Sequence, residues 1–168
     1  MPVRLKRQQV QGFSLVELMI AISIMTFLLL IGTQLTRTWI DQQHLTMTKS
    51  ALTNAVMTAK STALKNNQNL SLNSPAVSLC WESNTHQINV VQSLPNTLTL
   101  CDINSNVLID QIQLPTGISL QDQDSAFKCL AFEATGFISN HTDHLCSTGP
   151  NVHLNAKKHH ENITISLL

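Results

Sequence analysis

The chain has 168 residues, with ten Lys and Arg balancing ten Asp and Glu; 43% of residues are hydrophobic and only 12% charged. It is too apolar for a disordered tail and too neutral for a general nucleic-acid binder. Five Gly and five Pro exclude collagen-like or linker composition, and no solenoid-length repeat is visible. One domain with an appended element is the simplest organisation.

The appended element comes first. Residues 1–12 carry Arg4, Lys6 and Arg7 and no acid, and Glu17 is the only charge from Phe13 to Thr33. A helix over 13–33 rises about 31 Å, the thickness of a bilayer's hydrocarbon layer. The basic start predicts a cytoplasmic N-terminus and an exported C-terminal part. A secretory signal would end in a small-residue cleavage site after the apolar run; here the small residue, Gly12, precedes it. Glu17 then requires a reason. A carboxylate near the bilayer centre costs about 2.5–3.5 kcal/mol and normally has a partner. Cleavage after Gly12 would place a new amino group on Phe13, one helical turn from Glu17, able to pair with a carboxylate of a neighbouring chain.

Gly12-Phe13-Ser14-Leu15-Val16-Glu17-Leu18 resembles the cleavage and methylation motif of type IV pilins and type II secretion pseudopilins. The resemblance implies cutting between Gly12 and Phe13, N-methylation of Phe13, and a Glu17 that pairs with another subunit's N-terminus during assembly. A plain single-span membrane protein is the alternative.

Beyond Gln34 the chain turns polar while the helical period continues. Leu45, Leu52, Val56, Ala59 and Ala63 form one apolar stripe, opposite Gln42, Lys49, Asn54 and Lys60. The spacing predicts one helix over roughly 13–65, with a bend at Gly32, ended by Asn66-Asn67, its stripe packed on the chain's own sheet. Short alternating runs predict strands at 77–81, 87–92, 97–101, 107–113, 128–133 and 162–168. The expected fold is therefore α+β and pilin-like: a leader (1–12), a transmembrane helix (13–33), its amphipathic continuation (34–68) and a β-rich periplasmic domain (69–168) forming an antiparallel sheet.

All four cysteines, Cys80, Cys101, Cys129 and Cys146, fall in the part expected to be exported, where disulfides form. Of three possible connectivities, Cys80–Cys101 with Cys129–Cys146 is preferred, because each pair brackets one local excursion between strands. His141, His144 and Cys146 are only loosely metal-like and no C-x-x-C occurs, so no metal is expected. With no G-x-S-x-G, H-E-x-x-H, P-loop or dinucleotide turn, neither enzymatic activity nor a cofactor is expected.

A second resemblance covers the rest. Residues 51–67, ALTNAVMTAKSTALKNN, are similar to the helix of the FimT/GspH group, and Phe132-Glu133-Ala134-Thr135-Gly136 resembles its F-x-P-x-G turn, with Ala134 in the proline's place. The group's terminal G-R-x-R is not visible; Asn155-Ala156-Lys157-Lys158 stands there. The resemblance implies a minor pilin or an H-type minor pseudopilin, whose partners are other pilins or pseudopilins, the prepilin peptidase and the inner membrane. Some members bind DNA through this region, which leaves Lys157, Lys158, His159 and His160 as the only candidate contact cluster. Losing the leader removes three of the ten basic residues and leaves seven against ten acids, a net charge of −3 with His neutral. A DNA-binding tip pilin for DNA uptake is therefore the less favoured alternative, and nucleic acid is not the expected partner.

Overall fold

The computed structural model describes residues 14–95, 100–123, 125–140, 146–149 and 152–167. One helix, α1 (Leu15–Lys65), precedes nine strands: β1 (Pro75–Glu82), β2 (Gln87–Gln92), β3 (Val107–Gln113), β4 (Ser119–Asp122), β5 (Ser125–Ala126), β6 (Cys129–Glu133), β7 (Cys146–Ser147), β8 (His153–Lys158) and β9 (Glu161–Ser166). The chain divides into two compact units, Met1–Trp39 and Ile40–Leu168.

In the first unit α1 is apolar all round. It contains a window of mean hydropathy 2.5, long and apolar enough to cross a membrane, and Leu15, Met19, Met25 and Leu30 are all exposed. Water would penalise such a surface, whereas lipid or neighbouring helices would not.

In the second unit α1 becomes one-sided. Leu45, Leu52, Ala55, Val56, Ala59 and Ala63 are buried, the stripe that the period marks. The small alanines at 55, 59 and 63 and the larger Leu45, Leu52 and Val56 all belong to the core shared with the strands. Asn66 ends the helix in the left-handed conformation, with φ 41°. Its side chain donates to the Leu70 carbonyl and accepts from the Leu70 N–H, both at 2.9 Å, which holds the chain in a turn before β1.

The strands form two sheets rather than the single one that the sequence suggests: a five-stranded sheet in the order β3-β2-β1-β6-β7, and a four-stranded sheet in the order β5-β4-β8-β9. All pairings are antiparallel except β6 with β7. One apolar core joins α1 to both, through Val77, Leu79, Val90, Leu130 and Phe132 of the first and Leu120, Leu154, Ala156 and Ile165 of the second. The four strands absent from the sequence reading, β4, β5, β7 and β8, are very short or poor in β-branched residues; they owe their conformation to pairing. Cys101, expected to end a strand over 97–101, lies in a turn, and residues 97–99 fall outside the described residues.

After β6 the segment Phe132-Glu133-Ala134-Thr135-Gly136 makes a tight turn. The Gly136 N–H donates to the Glu133 carbonyl at 2.8 Å and the Glu133 N–H to the Phe137 carbonyl at 2.9 Å. Gly136 has φ 79°, and a Cβ there would meet Leu64 of α1 at 3.1 Å. The conformation thus disfavours any side chain here, and a Cβ would in addition require the Leu64 side chain to shift. Gly136→Val is expected to destabilise the globular unit by about 1–3 kcal/mol, read as a lower thermal midpoint of the full chain in detergent; an unchanged midpoint would contradict the close approach.

Candidate functional site

Three arrangements carry the residues that the sequence singles out. The first is the N-terminal end of α1. Gly12 and Phe13 lie outside the described residues. Glu17 sits in the first turn of the helix and is exposed. A carboxylate suits this place, because unpaired N–H groups make a helix N-terminus electropositive.

The second is the helix–sheet contact around β8. Along that strand Leu154, Ala156 and Lys158 share the buried face while His153 and Lys157 are exposed. Strand alternation therefore turns Lys158 inward, where it is only 7% exposed. Its ammonium donates to His44 Nδ1 and lies 3.6 Å from Asp41 Oδ1; His159 Nδ1 is 3.1 Å from Asp41 Oδ2. An ammonium has no lone pair, so Lys158 is the donor in this contact. Lys157, Lys158, His159 and His160, grouped in the sequence as a candidate DNA-contact cluster, are divided: Lys157, His159 and His160 are exposed, whereas Lys158 is committed to an ion pair inside the fold. The period-two pattern of HLNAKK held that information, but the strand around it is too weak to announce itself. Asp41 and His44 were missed as well; their signal is the i, i+3 spacing on one helix face.

The third arrangement lies on the face of the five-stranded sheet turned away from α1. Gln111, Asn89, Cys80, Cys129 and Cys146 follow one another across β3, β2, β1, β6 and β7 as direct partners. Gln111 Nε2 donates to Asn89 Oδ1 at 3.1 Å. Cys80 is bonded to Cys101, with Cα atoms 5.8 Å apart, and Cys129 to Cys146, with Cα atoms 4.4 Å apart. Cys146 is therefore no metal ligand, and His141 and His144 lie outside the described residues. Next to Cys101, Asp102 builds a small turn: the Asn104 N–H donates to Oδ1 at 2.9 Å and the Ser105 hydroxyl to Oδ2 at 2.7 Å. These bonds, the hydroxyl's first, hold the Asp102 carboxyl below its ordinary range.

With this geometry in place, two family models match the chain. The prokaryotic N-terminal methylation motif matches residues 7–33, and the type II transport protein GspH matches residues 50–166. The chain belongs to the GspH family. No curated protein and no solved structure matches it. The GspH match takes in the last sixteen residues of α1 and both sheets, and so includes the Gly136 turn and β8. The methylation motif takes in the apolar helix, and together they fit an inner-membrane-anchored, pilin-like subunit. These are families of structural pilins and pseudopilins, and pilin-like assembly is what both share.

Two predictions follow for this GspH-family fold. Asp41→Asn leaves the Lys158 ammonium buried without its counter-charge and is expected to cost about 1–3 kcal/mol. Lys158→Met, which removes that ammonium and keeps its apolar stem, should cost less; the reverse order of thermal midpoints at pH 7 would contradict the pairing. For Asp102 the folded carboxyl is more acidic than the unfolded one. Its contribution is therefore present above the unfolded carboxylate's ordinary value and is lost as pH falls through the lowered folded value. A carboxyl NMR titration should show Asp102 with a midpoint below free aspartate, moving up towards it in Ser105→Ala.

Proposed function

We propose that the chain is a minor subunit of a type IV pilus that helps prime filament assembly from the inner membrane, with the unit beyond Trp39 in the periplasm. The observation that carries the reading is a single carboxylate, Glu17, in the first turn of an exposed apolar helix at a matched N-terminal methylation motif. In this reading the peptidase cuts between Gly12 and Phe13 and Phe13 is methylated. Residues 13–33 then leave lipid for a bundle of like helices. Apolar packing replaces lipid at little net change, so the pairing of Glu17 with a neighbour's positive N-terminus supplies direction and axial register. The two disulfides favour a pilus subunit, by likeness to the cysteine usage of pilus proteins.

A second reading, an H-type minor pseudopilin of type II secretion, is favoured by the description of the family model that covers residues 50–166. Deleting the gene separates the two. Loss of surface filaments with secretion intact supports the pilus subunit; loss of secreted proteins with filaments intact supports the pseudopilin.

Glu17→Val is expected to insert in the membrane at normal levels and to be strongly depleted from purified filaments. Normal recovery in filaments would overturn the role of Glu17.

A further inference from the structure

Three of the four cysteines lie on one rung of the five-stranded sheet. Cys80 of β1 is the direct partner of Cys129 of β6, and Cys129 of Cys146 of β7. The two central residues are thus neighbours across an antiparallel pair although neither is bonded to the other. The hydrogen-bond pattern defines their spacing. The Trp81 N–H donates to the Lys128 carbonyl at 2.8 Å, which makes Trp81 and Lys128 a hydrogen-bonded pair. Antiparallel ladders alternate, so Cys80 and Cys129 form the closer, non-hydrogen-bonded kind, with Cα atoms about 4.5 Å apart. Disulfides span Cα separations of about 4.4–6.8 Å.

Accessibility divides the same four residues differently. Cys80 is 5% exposed and Cys129 2%, whereas their bonded partners lie further out. Cys101 is exposed, and Cys146 is half-buried at the edge of an open polar depression shared with Asp122, Lys128 and Thr148. A small dithiol therefore reaches each bond from its outer sulfur and leaves the inner one as the thiol.

We propose that reduction of either disulfide by a dithiol is followed by internal exchange to a Cys80–Cys129 bond, so that the two-electron-reduced chain holds one buried cross-strand disulfide and two free outer thiols. If the Cys80–Cys101 bond opens first, the Cys80 thiolate attacks Cys129 Sγ, the Cys80–Cys129 bond forms, and Cys146 leaves as the thiolate. If the Cys129–Cys146 bond opens first, the Cys129 thiolate attacks Cys80 Sγ and Cys101 leaves. Both routes end in the same species. The dithiol supplies two electrons and two protons and becomes a cyclic disulfide; the exchange step itself is redox-neutral. The product is shielded, because both its sulfurs are interior. A single reduction thereby unfastens both outer segments, the turn at Cys101–Asn106 and the strand at Cys146–Ser147, while β1 and β6 remain cross-linked. The device concerns the domain's redox response and does not depend on which filament the chain serves.

The test uses the full chain, purified oxidised in detergent micelles and treated with limiting dithiothreitol, then acid-quenched, alkylated and mapped by peptide mass spectrometry. The expected main two-electron-reduced species links Cys80 to Cys129 and carries alkyl groups on Cys101 and Cys146. A species that keeps Cys129–Cys146 with Cys80 and Cys101 alkylated, or keeps Cys80–Cys101 with the other two alkylated, overturns the proposal. A second arm uses the double variant Cys101→Ser with Cys146→Ser, oxidised in air. Formation of the Cys80–Cys129 bond with native-like tryptophan circular dichroism supports it; two free thiols in a chain with that same signal overturn it.

Discussion

One helix stripe supplies the core of two sheets. Leu45, Leu52, Ala55, Val56, Ala59 and Ala63 are buried on α1, and the core they share includes strands from both sheets. Each fully buried apolar side chain of valine or leucine size contributes about 1.5–3 kcal/mol, but the stripe's shape matters as much as its area. Its three alanines share one core with the larger Leu79, Leu130 and Phe132 of the strands. Neither sheet encloses a core by itself; each needs the helix as its opposite wall, so the arrangement of β1 to β9 depends on the placement of one helical face.

This dependence explains what could be read in the sequence. The helix, its buried stripe and its stop at Asn66 follow from local rules: a 3.6-residue period, and a residue type that tolerates positive φ. Strands β1, β2, β3, β6 and β9 contain runs rich in Val, Ile, Leu or Phe, and their positions were legible to within a few residues. The segments SLQD and HLNAKK carry no such signal. They are strands because β4 and β8 pair with each other at Leu120 and Ala156, and that pairing exists only once α1 offers both a surface to cover. A second sheet was thus invisible to any window of sequence, although the number of residues allowed for it.

The polar sites show the same division. The N-terminal motif is contiguous, so Glu17 stood out as a charge in an apolar run. The Lys158 contact is not, since its partners Asp41 and His44 are more than a hundred positions away in the chain. Within its own segment Lys158 looks like one more basic residue beside Lys157. Only the parity of β8 distinguishes them, sending one to solvent and its neighbour to the helix. Likewise, the spacing of four cysteines says nothing of the rung that places Cys80 beside Cys129, because strand register belongs to the folded sheet.

The sheet edges have a bearing on solubility. Each sheet is closed on one side by a strand of only two residues, β7 or β5. A stub of that length offers an incoming chain too few free backbone groups to start a ladder. On the longer margins, β9 presents exposed Asn162, Thr164 and Ser166, and the pairing of β2 with β3 is interrupted by a bulge between Val90 and Val91. Bulges and polar margins discourage strand exchange between molecules. A protein whose other unit is a sticky apolar helix thereby narrows open strand pairing to one margin, β3, where Val107, Leu108 and Ile109 are exposed.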